Sequence, residues 1–185
     1  MTEIDFCETR HLYCRDGEIY PSVTEVLQKA GLINGSWFSE YAACRGAALH
    51  LATAFLDRNE LEESSVDGAI AGRLDAYRHF KEDTGFKPTH IEHILYSDKW
   101  KCAGTADRLG VLSENLILLD LKSGAALPWH SLQTAAYQMM ALERGHAVTK
   151  RFGLELRDNG TYRLREHKDA MDLARFLQAL KAATA

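Results

Sequence analysis

The sequence predicts an α/β (α+β) fold in which a central mixed β-sheet is flanked by helices and preceded by a mainly helical amino-terminal half. Three observations carry that prediction. The chain has 185 residues, 46% of them hydrophobic and 26% charged, which is enough apolar material for one domain with a sizeable core and too much for a disordered chain. The hydrophobic period changes at Pro88, from spacings of three and four before it to short extended runs after it. The run Leu116-Ile-Leu-Leu119 is aliphatic throughout, as expected of a strand covered on both faces.

The elements follow in order. Asp16-Gly17 between Leu12-Tyr13 and Ile19-Tyr20 signals a hairpin over residues 11–20. Pro21-Ser22 opens a helix that reaches Lys29 and is ended by Gly31. Ser36 is the expected N-cap of a long helix through Asp57, with Phe38, Ala42, Leu49, Ala52 and Leu56 on one face. A helix over residues 67–83 carries Ile70, Leu74, Tyr77 and Phe80 and closes at Gly85. Strands are expected over residues 91–96, 100–111 and 115–121, then a helix over 131–144 capped by Gly145. Two further strands, 149–156 and 161–165, flank the turn Asp158-Asn159-Gly160. A last helix, 169–183, turns Met171, Ala174, Leu177 and Leu180 inward. One helix therefore crosses between the third and fourth strands of the sheet. Residues 1–87 form the helical part, 88–166 the sheet core and 167–185 the final helix of a single expected domain.

Composition excludes several classes of function. The formal charge of −4 argues against a protein that coats nucleic acid through a basic surface. No apolar run approaches the roughly 20 residues of a membrane span, and Glu3, Asp5 and Glu8 sit where a signal peptide would be basic and then apolar. Cys7, Cys14, Cys44 and Cys102 include no C-x-x-C pair, which argues against a zinc ribbon and fits reduced thiols in the cytoplasm. No Gly-x-x-x-x-Gly-Lys-[Ser/Thr] loop is present, so no nucleotide cofactor or motor is expected.

The chemistry-bearing stretch is Gly104-Thr-Ala-Asp107, followed thirteen residues on by Asp120-Leu-Lys122. If the strands bearing them pair as a hairpin, Asp107 and Asp120 can lie on one side and hold a divalent cation between them. Side chains alternate along a strand, so Asp120 and Lys122 share a face while Leu121 points inward. Carboxylates, a cation and an ammonium together supply what phosphodiester hydrolysis needs: a Lewis acid, an activated water and relief of transition-state charge.

This pattern resembles the PD-(D/E)xK nuclease superfamily, and within it the RecB-type branch that includes phage-encoded exonucleases and the mitochondrial genome maintenance exonuclease. Pro21-Ser-Val-Thr24-Glu-Val-Leu27 is similar to the branch's amino-terminal segment, and Arg45-Gly46-Ala-Ala-Leu-His50 to its helical histidine motif. Glu92 stands one strand before Asp107, as the core glutamate does, and Gln133-Thr-Ala-Ala-Tyr137 is similar to the Q-x-x-x-Y motif. The resemblance covers residues 21–137. It implies a restriction-endonuclease-like core. It makes Asp107 and Asp120 metal ligands, with His50, the Leu121 backbone carbonyl and Glu92 completing the shell, and it makes Lys122 the residue that positions water and stabilises the phosphate. Gln133, Tyr137, Arg45 and Ser123 would meet the substrate. The implied cofactor is Mg²⁺, with Mn²⁺ able to substitute, and no iron–sulfur cluster is implied because no cysteine follows Cys102. The implied partners are DNA ends, single- or double-stranded, and a single-strand annealing or binding protein, with a homo-oligomer left open. The implied setting is phage or prophage recombination, repair or end processing.

Simpler readings stand beside these. A D-x-K can be a solvated acid and base at a strand end, His50 a helix histidine, and Tyr137 a core residue. Ser22 and Thr24 read as capping and turn residues, and Trp129 either stacks on a base or covers the core. Arg73, Arg78, Lys81, Lys87 and Lys99 are phosphate-contact candidates, although such residues are more often solvent-exposed charges. His11, His79, His90, His93, His130, His146 and His167 show no defensible ligand spacing. A structure-selective or restriction-type endonuclease, or a catalytically silent binding module, would share the same fold.

Overall fold

In the computed structural model, residues 4–7, 10, 12–34 and 39–184 are described. A small antiparallel sheet comes first, formed by β1 (Asp5–Cys7), β2 (Leu12–Arg15) and β3 (Glu18–Tyr20) in that order. The expected hairpin is β2–β3, turning at Asp16 and Gly17, both with positive φ. Ser22 caps α1 (Val23–Lys29) by accepting from the Glu25 amide. The long helix, α2 (Glu40–Arg58), is capped by Ser39 and ends at Asn59 in the left-handed region. The expected cap Ser36 and face residue Phe38 lie outside the described residues. Asp67 caps α3 (Gly68–Thr84), and Gly85 closes it at φ +67°.

The main sheet has the order β4 (Lys87–Ser97), β5 (Cys102–Leu112), β6 (Asn115–Lys122), β7 (Lys150–Leu156) and β8 (Tyr162–Glu166). Neighbouring strands are antiparallel except β6 and β7, whose parallel pairing requires the crossover helix α4 (His130–Glu143) between them. The closing helix, α5 (Asp172–Thr184), begins three residues later than its periodicity suggests because the Asp169 carboxylate accepts from the Met171 amide and holds a turn there.

Alternate residues of β6 enter two apolar clusters. Leu118 packs with residues of α1, α4 and α5, while Ile117, Leu119 and Leu121 pack with residues of α2 and α3. The sheet is thus mixed, buried on both faces and flanked by helices, as the aliphatic run predicts. The small sheet closes one end, where Tyr13 and Tyr20 pack with Ala103, Ile94 and Tyr96.

The crowded centre holds one fully buried cation. Arg108 on β5 donates from Nε to Asp57 Oδ2 (2.7 Å), from Nη2 to Thr53 Oγ1 (3.0 Å) and from Nη1 to Glu92 Oε1 (3.0 Å). Asp57 in turn accepts from Tyr77 and Lys81. This network ties α2, α3, β4 and β5 together around the residues considered next.

Candidate active site

The β5–β6 register brings the two aspartates together. Arg108 pairs with Leu119, and one step further places Asp107 across from Asp120. Asp107 Oδ2 accepts from the Leu121 amide at 2.6 Å, which fixes its carboxylate at the strand end. From α2, His50 Nδ1 approaches Asp107 Oδ1 at 3.4 Å and Glu92 Oε1 at 3.8 Å. Glu92 lies between the rungs Ile91–Arg108 and His93–Ala106, opposite Asp107, with φ +49°. A left-handed conformation at a glutamate costs roughly 1 kcal/mol or more, and the Arg108 bond holds the side chain in place.

Ligand atoms of His50, Glu92 and Asp107 all lie within 4.8 Å of one another. Asp120 is not in that set; its Oδ2 has Lys122 Nζ at 2.8 Å but no aligned hydrogen bond among the described residues. The Asp120 side chain is buried even though it shares a strand face with Lys122. It is only 2% exposed against 17% for Lys122, because β6 is covered on both faces up to its last residue.

The electrostatics follow from this crowding. The Asp107 carboxylate raises His50 to about 10 against the opposing effect of desolvation, with Glu92 adding to the rise. Burial pushes Asp107 up, but His50, Lys122 and the Leu121 amide outweigh it and hold the carboxyl low. Burial pushes Asp120 up, and Lys122 offsets only part of that. Buried carboxylates, one imidazole and an under-satisfied acid oxygen form a donor set that fits a hard or borderline divalent cation.

Lys122 Nζ also donates to Gln133 Oε1 at 3.1 Å and lies 5.5 Å over the Trp129 ring. Gln133 Nε2 donates to the Tyr137 hydroxyl at 3.2 Å. Tyr137 itself is buried, and a Cβ at Gly104 would meet its ring at 2.6 Å; it supports Gln133 from inside the core. A cavity of about 280 Å³ opens beside Lys122, with Arg45, Gly46, His50, Ser123 and Trp129 in its wall. The Ser123 carbonyl accepts from Arg73 Nε at 3.1 Å and has Arg45 Nη2 at 3.5 Å, so two guanidiniums converge on the cavity rim. Arg78 and Lys81 are instead engaged by Glu63, Asp75 and Asp57.

Sequence reasoning missed Arg108 and Asp57, whose only signal is a pair of charges on otherwise apolar faces. It also missed Glu155, the parallel neighbour of Lys122 on β7, whose Oε1 is buried without a hydrogen bond. The expectation that the remaining histidines share no ligand geometry is corrected. His90, His93 and His146 come together with ligand atoms within 4.8 Å, because β4 departs from regular alternation between the first two. Burial and the two neighbouring rings lower His93 to about 4. His11 lies outside the described residues.

Neither a family model nor a curated protein matches this sequence. Among solved structures, the chain is similar to a candidate exonuclease from Eubacterium rectale, with a TM-score of 0.57 at 12% identity over 89% of this chain and 81% of that one. The likeness shows a shared fold.

Proposed function

We propose that the chain is a metal-dependent DNA exonuclease of the PD-(D/E)xK superfamily, RecB-type branch. The observation that carries this reading is the convergence of His50, Glu92 and Asp107 beside Asp120 and Lys122 at the end of a doubly buried strand. Such a strand end is an expensive place for an acid and a base with no task. The fold shared with a candidate exonuclease supports the same reading.

His50, Glu92, Asp107 and Asp120, with the Leu121 carbonyl, would hold Mg²⁺, or Mn²⁺ in its place. The cation when bound supplies Lewis-acid polarisation of the phosphoryl oxygens and lowers the pKa of the attacking water. Lys122 orients that water and offsets negative charge on phosphorus as the P–O bond breaks. Gln133 keeps the Lys122 ammonium aimed, and Tyr137 fixes Gln133. Arg45 and Arg73 at the Ser123 rim suit the flanking phosphates, and Trp129 offers a stacking face for a base. The biological setting that fits is phage or prophage DNA recombination, repair or end processing in a bacterial cytoplasm. A single-strand annealing or binding protein would be a partner, and end-threading through a homo-oligomer would account for end preference.

End-labelled linear DNA and a covalently closed circle, each single- and double-stranded, test the reading. Degradation of linear DNA alone is expected, and the order of label release gives the polarity. Nicked circles would replace the exonuclease by an endonuclease, and inertness toward every substrate would leave a binding module.

A further inference from the structure

The rings of His90, His93 and His146 pack with centroids 4.6, 4.7 and 5.1 Å apart. His93 Nε2 and His146 Nε2 are 3.2 Å apart. Two nitrogens bound to one tetrahedral zinc at about 2.0–2.1 Å stand roughly 3.3 Å from each other, so this pair already has the spacing of a coordination edge. The third ring is pre-set as well. The Thr89 hydroxyl lies 3.2 Å from the Leu109 carbonyl and 3.1 Å from His90 Nδ1; when its proton goes to the carbonyl it accepts from His90 Nδ1–H, the tautomer that leaves the His90 lone pair on Nε2. A metal-ligating histidine has this second-shell partner as a rule.

We infer that His90, His93 and His146 form a site for one borderline transition-metal ion, Zn²⁺ foremost, separate from the carboxylate centre. Three imidazoles without a carboxylate favour Zn²⁺ over Mg²⁺ or Mn²⁺. The two centres share no ligand, because Glu92 directs its carboxylate to Arg108 and His50. His93 and His146 line one cleft of about 500 Å³, which gives an ion a path of entry and leaves room for a fourth, exchangeable ligand. Zinc here fastens the edge strand β4, on either side of the strained Glu92, to the segment that follows α4. The inference is independent of the nuclease reading, and loss or absence of cleavage leaves it untouched.

Calorimetric titration with Zn²⁺ in excess Mg²⁺ tests it on the wild type and on Asp120→Asn, His146→Ala and His90→Ala. One Zn²⁺ per chain is expected in the first two. Binding at least about 10–100-fold weaker is expected in each histidine variant. Co²⁺ should give intense tetrahedral visible bands in the wild type that either histidine variant loses. With excess Mg²⁺ held constant to occupy the carboxylate centre, a hundredfold excess of Zn²⁺ over Kd should raise the wild-type Tm by roughly 5–10 °C more than that of folded His146→Ala. No Zn²⁺ uptake by the wild type, or uptake unchanged in both histidine variants, would overturn the site and leave His93 and His146 as a simple hydrogen-bonded pair.

Discussion

Asp120 is buried with its Oδ2 against Lys122 and outside an aligned hydrogen bond, so without a bound cation this proposed metal ligand is held at a cost. A carboxyl whose pKa rises on folding loses stability at every pH above its ordinary range. Asp120→Asn should therefore raise Tm in EDTA by roughly 2–6 °C, on the order of 1–2 kcal/mol, while lowering cleavage at least about 10²-fold. A thermal melt showing the Asn variant less stable would contradict this. Asp57 has the opposite character. It neutralises the fully buried Arg108, and Asp57→Ala should cost about 3–5 kcal/mol in urea unfolding by stranding that guanidinium; a loss under 1 kcal/mol would show that the network is not the strut described. His130 sets an acid limit. Its buried ring accepts from the Leu127 amide at Nδ1, and desolvation first, with Lys122 and His167 adding, lowers it to about 3. A histidine depressed on folding contributes its full stability above its ordinary pKa and loses it as pH falls toward the folded value. About 2 kcal/mol should be gone by pH 5, and His130→Gln should flatten that part of the stability–pH curve. Of the residues gathered at the candidate site, Asp107, Asp120, Lys122, His50 and Glu92 could be nominated from the sequence because their types and order resemble a nuclease pattern. Arg108, Asp57 and Glu155 were not, since burial of a charge depends on which distant faces meet.

At the scale of elements, β5 to β8 lay close to their expected spans because apolar alternation, turn residues and the aliphatic run all agree there, whereas β4 begins at Lys87, four residues before the expected start at Ile91. Two features had no periodic signature. Strand β1 is three residues long and paired only with β2, too short for alternation to register. His90 and His93 stand at an odd spacing that a regular strand would send to opposite faces, and the left-handed Glu92 between them breaks that rule. The same local irregularity therefore aims a candidate metal ligand and gathers the histidines. Gly104 shows how tightly β5 meets α4: a methyl there would meet the Tyr137 ring at 2.6 Å. Gly104→Ala should cost about 1–3 kcal/mol and slow cleavage by displacing the Tyr137–Gln133–Lys122 chain. Unchanged stability and turnover together would show that α4 yields freely and does not position Lys122.

At the scale of the whole molecule, and among the described residues, the sheet buried on both faces, the crossover helix before the parallel strand and the long α2 bring acids, an imidazole and a lysine together beside a cavity at the end of β6. A net charge of −4 is compatible with the proposed DNA substrate because the cationic groups there are local: Lys122 and Arg45 line that cavity, and Arg73 reaches its edge at the Ser123 carbonyl. No helix among the described residues is long and apolar enough to cross a membrane. The fold could be read from the chain because hydrophobic period decides it, whereas the assembly of the site required the register that sets Asp107 across from Asp120. The most direct measurement is single-turnover cleavage of end-labelled linear DNA by the wild type and by Lys122→Ala, each with Mg²⁺ and with EDTA, alongside circular dichroism of both proteins. The account predicts cleavage only by the wild type with Mg²⁺, at least about 10²-fold faster than by a folded Lys122→Ala; cleavage that survives EDTA, or that Lys122→Ala retains in full, would contradict it.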